Sequence, residues 1–410
     1  MPLRTRQVLP LVVALLTVGL FVPSAGAITG ELRVLYVLTT WGPTPFTHAE
    51  LERVAAETND FYTASSSDRF SVPGSVAGPL RLPRAVFDSC DPTALRAAAP
   101  AATFNGYDRV VFVTPAVEVC RFGGLADRNE ALLNGQLNWP LAAHELGHTI
   151  GLRHASGWHC IALGCTVSEY GSVFSVMGDG QGDFNAFEKQ ALGWLTGIVH
   201  PAGSGRHEIG PVEGPTTLPQ ALVVSTALSE FWFESRGRPT LSFRGDREQP
   251  AGMAVVVGPV DHSDASPYPR ENILLRNPAG GSRYAYLQGE TFVQPEVFSV
   301  AVERHAQESA TLSFEWLDRT PPAATRVRAR APLRGRVDVS WSRPRERGSG
   351  VKSYTVLVGT RAVRVVDAQT PYVNTTATLR LRSGTHRVSL FATDRAGNRG
   401  PTTSASVRVR

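Results

Sequence analysis

Apolar and polar positions change their rhythm twice along the chain. Up to about residue 199, strand-length apolar runs alternate with helical repeats. "LRVLYVL" and "RVVFVTP" are continuous apolar runs, and "RFSVPGSV" adds a third strand segment. In "THAELERVAAETNDFY", Leu51, Val54, Ala55, Phe61 and Tyr62 recur at helical spacing, with Thr47 and Glu50 in capping-box positions. "WPLAAHELGHTIGL" predicts a helix ended by glycine. "NAFEKQALGWL" predicts another, with Asn185 as N-cap and Glu188 at the third helical position. From about Pro201 to Asp318 the texture becomes short strand-like runs between Gly, Pro and Ser turns: "QALVVST", "EFWFESR", "TLSFRG", "MAVVVG", "NILLRN", "YAYLQG", "FSVAVE" and "ATLSFEW". That pattern predicts an all-β sandwich or barrel. "DRTPPAATRVRARAP" reads as a proline-bearing linker, and "RVDVSW", "SYTVLVG" and "ATLRLRSGTHRVSLFATDRAGNRGP" predict one further small β sandwich. The expected architecture is multidomain: an α/β domain over 28–200, followed by all-β sandwich-like units over 201–318 and 319–410.

Length agrees, since 410 residues suit about two or three domains of roughly 150 residues. Residues 1–27 read as a signal peptide. Arg4 and Arg6 precede the short apolar run "VLPLVVALLTVGLFVP", and "SAGA" offers cleavage after Ala27. No second run of this kind follows, so a secreted, extracellular protein without a membrane span in its mature form is expected. The four cysteines lie beyond Ala27, and an even count in an oxidising compartment suggests two disulfides. Three pairings are open. Cys90 with Cys120 and Cys160 with Cys165 is favoured, because the second pair is close in sequence. The net charge of +5 is almost entirely arginine, since Lys189 and Lys352 are the only lysines. It reads as spread along the chain, with no dense basic block or interleaved aromatics. Nucleic acid is therefore not an expected partner, whereas weak attraction to anionic cell surfaces is compatible with it.

The chemistry concentrates in "HELGHTIGLRH", His144 to His154. His144 and His148 are four residues apart, so one helix face presents both imidazoles to one ion. Glu145 points toward the same cleft without needing to bind the metal. Gly151 is where the helix must stop, and glycine tolerates the positive φ of a sharp turn. That turn returns His154 as a third nitrogen. Three neutral nitrogens with one open position predict a single catalytic Zn²⁺ rather than a closed structural site. "DGQGD", Asp179 to Asp183, could suggest calcium, but it lacks the full ligand pattern of a known loop, and a solvated turn is the favoured reading.

This stretch resembles the metzincin clan of zinc peptidases. "EYGSVFSVMG" supplies Met177 where that clan has a methionine beneath the metal. Together with "HELGHTIGLRHA" and "FNAFEKQALGWL" it is similar to the gametolysin family. Asp179 stands where astacin-like relatives have a zinc-binding tyrosine, so no fifth ligand is expected. No pro-segment is recognisable between Ala27 and "LRVLYVL". "RFGGLADRN" resembles the edge-strand segment that holds a peptide in the clan, with Gly124 allowing close approach and Leu125 and Ala126 offering main-chain groups. The C-terminal unit resembles a fibronectin type III domain, through Trp341, Tyr354 and "ATDRAGNRGP", with His386 in place of the usual tyrosine.

The resemblance implies a secreted zinc endopeptidase acting on extracellular proteins or peptides. Zinc would polarise the scissile carbonyl and lower the pKa of its water toward ~7. Glu145 would be the general base and Met177 the floor of the site. The β units would hold a cell-surface or wall component. The alternative is an inactive, metallopeptidase-like adhesion protein, against which the intact Glu145 argues.

Overall fold

The computed structural model describes residues 26–410 except 162–163, 243–247, 260–271, 281–282 and 369–374. The expected signal peptide therefore lies, apart from Gly26 and Ala27, outside the described residues. Among the described residues no helix is long and apolar enough to cross a membrane.

The first unit is built on a five-stranded sheet of β1 (Val34–Thr40), β2 (Gly74–Arg81), β3 (Arg109–Thr114), β4 (Gly124–Asp127) and β5 (Glu130–Asn134). The strand order is β2-β1-β3-β5-β4. All neighbours run parallel except the last pair, in which β4 lies antiparallel to β5 at the sheet edge. Parallel strands covered on both faces need apolar residues at every position, which explains the unbroken run of β1. Val34, Tyr36 and Leu38 face the helices α1 (His48–Ser65) and α2 (Trp139–Thr149). Leu35 and Val37 face Phe87, Leu95 and Phe104 on the opposite side. That second face is tied by the Cys90–Cys120 disulfide, one of the two expected bridges. The side chains of Cys160 and Cys165 lie outside the described residues, although the backbone sets the two positions opposite each other in a hairpin.

Helix boundaries follow the expected caps. Thr47 and Glu50 form a capping box at α1, and Asn185 and Glu188 form one at α3 (Ala186–Leu192), which ends on Gly193 at φ +72°. The helix α2 starts from Asn138, whose side chain accepts a hydrogen bond from the Leu141 N–H.

The hairpin Ala155–Ile161 and Gly164–Ser168, which follows His154 directly, adds to a seven-stranded sheet made mostly by the middle region. Its first strand pairs parallel with Asn272–Leu274. The segments before and after residue 200 are thus joined by main-chain pairing, which the local apolar pattern did not reveal. A four-stranded sheet packs against it around Phe231, Phe233, Phe292, Phe298 and Trp316. "YAYLQG" forms no strand, only an isolated bridge from Tyr286 to Met253. The C-terminal unit is a sandwich of a three-stranded and a four-stranded sheet around Trp341 and Tyr354, whose ring centroids lie 5.2 Å apart.

Candidate metal centre and active site

Helix α2 carries His144, Glu145 and His148, and Gly151 takes φ +99° just beyond it. An L-residue with a side chain rarely adopts that φ. The resulting turn returns His154 to the two helical imidazoles. The Nε2 atom of His148 lies 3.1 Å from Nε2 of His144 and 3.1 Å from Nε2 of His154. Among the described residues these three form the group of metal-binding side chains that could hold an ion.

Their hydrogen bonds test that reading. The His144 Nδ1 lies 2.8 Å from the Val176 carbonyl, and the His148 Nδ1 lies 2.9 Å from the Leu152 carbonyl. The His154 Nδ1 lies 2.7 Å from Oε1 of Glu169. All three partners are acceptors, so each Nδ1 carries a proton, and wherever the ring is neutral its Nε2 presents a bare lone pair. Three lone pairs aimed at one point repel one another unless a cation lies between them. Burial, reinforced by the nearby His148, holds the His144 imidazole down at about 3. Burial also lowers the pKa of His148. Both rings are therefore neutral at pH 7, the form that binds a metal. Neutral imidazoles of this number suit zinc.

Glu145 is 4% exposed, and burial alone pushes its carboxyl up to about 8. The carboxylate lies directly over Gly124 on β4. A Cβ built at Gly124 would stand 2.7 Å from Glu145 Cδ and 2.8 Å from Cγ, with Oε1 closer still. The glycine thus makes room for Glu145 itself. The edge strand β4 is where "RFGGLADRN" placed it. The Asn134 N–H donates to the Gly123 carbonyl at 2.7 Å, which fixes the alternation of the β4–β5 ladder. Leu125, opposite Leu132, is then spent on pairing with β5. The N–H and C=O of Gly124 and Ala126 point to the open edge. Of the two residues expected to offer main-chain groups, Ala126 directs them to the open edge and Leu125 directs them to β5.

Met177 lies buried under α2, next to Gly147, where an added Cβ would stand 2.5 Å from its Sδ. Asp183, expected in a solvated turn, is instead turned inward and accepts a 2.6 Å hydrogen bond from the buried Nζ of Lys189. That carboxylate is committed to a cation of the chain itself.

Three contributors escaped the sequence reading. Glu169 holds the ring of His154. Gly147 admits Met177. The half-exposed Tyr170 has its ring centroid 4.1 Å from that of His154 and 6.0 Å from that of His144. Burial raises the Tyr170 phenol, with Glu169 and then Glu145 adding to it. The "EY" pair stood in the quoted "EYGSVFSVMG", but no local pattern says that a strand hairpin folds it back onto the histidines.

The fold and the converging histidines define a zincin-like metallopeptidase domain followed by all-β units, the last of them fibronectin-like. Residues 80–224 match the model of the gametolysin peptidase M11 family. The likeness to gametolysin-family metallopeptidases thus stands on a family match as well as on the motifs. No curated protein matches the chain. Among solved structures, archaemetzincin from Methanopyrus kandleri is similar at 18% identity, over 39% of this chain and 94% of that one, with a TM-score of 0.25. The CbhA fibronectin(III)-like modules of Clostridium thermocellum match at 14% identity, over 21% and 97%, with a TM-score of 0.18. The spore cortex lytic enzyme SleM of Clostridium perfringens matches at 16% identity over 24% of this chain, with a TM-score of 0.19, and only 33% of its own length is spanned.

Proposed function

We propose that the chain is a secreted zinc endopeptidase of extracellular proteins, organised as a signal peptide (1–27), a catalytic domain (28–200), a β-rich unit (201–318) and a fibronectin type III-like unit (319–410). The observation that carries the reading is the meeting of three histidine Nε2 atoms beside a buried glutamate and an open strand edge.

His144, His148 and His154 would hold one Zn²⁺. Bound zinc supplies Lewis acidity, polarising the scissile carbonyl and making water more acidic. Glu145 takes the proton from the attacking water and passes it to the leaving amine; a cation held beside it would offset the rise that burial alone gives its carboxyl. The outward main-chain groups of Gly124 and Ala126 hold the substrate as an added strand. A chain laid along an open edge passes through the site in both directions, which suits internal cleavage. Glu169 fixes the tautomer of His154, and Gly151 and Met177 hold the turn and the floor.

A peptide library incubated with the mature protein tests this. The expected result is internal cleavage that stops on chelation and returns with zinc. Zinc-loaded, folded protein that cleaves no peptide would favour the adhesion alternative.

A further inference from the structure

Positive charge is not spread along the chain as the sequence first suggested. Residues 319–410 hold 19 Lys and Arg against 4 Asp and Glu, whereas residues 1–318 hold 22 against 32. A general preference for arginine codons would not reverse the sign of net charge between two parts of one chain.

The fold gathers part of this excess on one surface. In the three-stranded sheet Val327–Leu333, Arg336–Trp341 and Thr376–Arg380, residues directly opposite one another share a face. One face packs Ala329, Val339 and Ala377 inward. The other carries the rows Arg328–Ser340–Thr376, Arg330–Asp338–Thr378 and Leu333–Arg336–Arg380, and all four arginines are exposed. Asp338 is the one carboxylate in these rows; it pairs with Arg336 at 2.9 Å and accepts a hydrogen bond from the Thr378 hydroxyl at 3.0 Å. Arg328, Arg330 and Arg380 form no ion pair among the described residues. Arg334 and Arg382 extend the positive surface at the end of the sheet.

We propose that this face of the fibronectin-like unit binds an acidic polysaccharide, a polymer carrying carboxylates along a sugar backbone. Pleat and strand spacing set Arg328 and Arg330, and likewise Arg336 and Arg380, about 5–7 Å apart, with the two pairs farther from each other, which suits a flexible polymer with spaced charges. Each planar guanidinium donates two parallel hydrogen bonds to a carboxylate. Ser340 and Thr376 add hydroxyls that suit sugar oxygens. The rows contain no aromatic ring on which bases could stack, and Leu333 is their single exposed apolar side chain, too little to anchor in a lipid surface. The extracellular setting of such a polymer rests on the proposed secretion, but the binding itself does not depend on peptide hydrolysis.

The test uses the full mature chain and polygalacturonate, with binding read by titration calorimetry at low ionic strength. Neutral dextran, duplex DNA and anionic phosphatidylserine vesicles are the comparison arms. Binding to polygalacturonate should exceed every comparison arm at matched concentration of charge, or of sugar for dextran, and should weaken as salt rises. In the triple variant Arg328→Ser, Arg330→Ser, Arg380→Ser, each lost exposed contact is worth a factor of about two to five, so Kd should rise about tenfold or more. Peptide hydrolysis and the circular dichroism spectrum should stay at parent values. A triple variant that binds as tightly as the parent overturns the proposal, as does equal or tighter binding to DNA, vesicles or dextran. If the triple variant fails to fold, the single variant Arg328→Ser is measured instead, with a twofold or greater rise in Kd expected and no change contradicting the assignment.

Discussion

Gly124→Ala isolates the position of Glu145 from everything else at the site. The backbone of Gly124 does not have a positive φ, so alanine meets no conformational penalty there. It does meet Glu145. The new Cβ would lie 2.7 Å from Cδ, whereas ordinary contact begins near 3.4 Å, so the carboxyl must retreat by ~0.7 Å or more. A flexible side-chain end can make that movement, and the histidines lie on other atoms, so zinc content and melting temperature should stay close to parent values. Catalysis should not. A displacement of about 1 Å at a reacting group costs on the order of 10²-fold, and kcat/KM should fall by about one to two orders of magnitude. The loss should appear mainly in kcat, because the substrate's pairing groups on β4 remain. The assay is steady-state hydrolysis of a fluorogenic peptide by protein with zinc quantified in the same preparation. Parent-level kcat with full zinc occupancy would refute the claim that Gly124 sets where the base stands.

Ala126→Pro removes an N–H on the open edge of β4 and little else; KM for long peptides should rise several-fold with zinc content unchanged, and unchanged kinetics would move the substrate groove elsewhere. Glu169→Ala frees the tautomer of His154, and zinc affinity measured by chelator competition should fall about 10–100-fold; parent affinity would show that the ring is held without it. Glu188 lies in a buried network with Ser175, Asn185 and Asn272, and burial pushes its carboxyl up from 4.5 to about 7. The folded state thus holds the proton more tightly than the unfolded chain. Stability from this group is intact below about pH 4.5 and is lost as pH rises through 7. Between pH 5 and pH 8, Glu188→Gln should gain roughly 2–3 kcal/mol on the parent in urea unfolding, and parallel pH profiles would contradict the assignment.

The sequence announced what is local. Capping residues marked the starts of α1 and α3, the apolar run of β1 announced a strand buried on both faces, and one stretch of eleven residues held all three histidines, the glutamate and the turn glycine. What it hid depends on distant segments meeting. Glu169 reaches His154 only because the hairpin from Ala155 to Ser168 folds back, and that hairpin is fixed by pairing with Asn272–Leu274, more than 100 residues away. Gly147 and Gly124 look like ordinary small residues until Met177 and Glu145 are seen against them. The buried Lys189 was noted only as a rare lysine, and its partner Asp183 was read as solvated because a Gly-rich acidic run gives no hint of a cation folded over it. The charge reversal at the C-terminal unit was open to counting but was masked by a small net total.

In the proposed mechanism His144, His148 and His154 hold the metal while Glu145 moves the proton. Glu145→Ala, with zinc measured by mass spectrometry on the dialysed protein and peptide hydrolysis measured on the same sample, tests it most directly. About one zinc per chain is expected, as in the parent, with hydrolysis reduced by several orders of magnitude. A variant that loses its zinc on dialysis yet hydrolyses peptide at the parent rate once zinc is restored would contradict it.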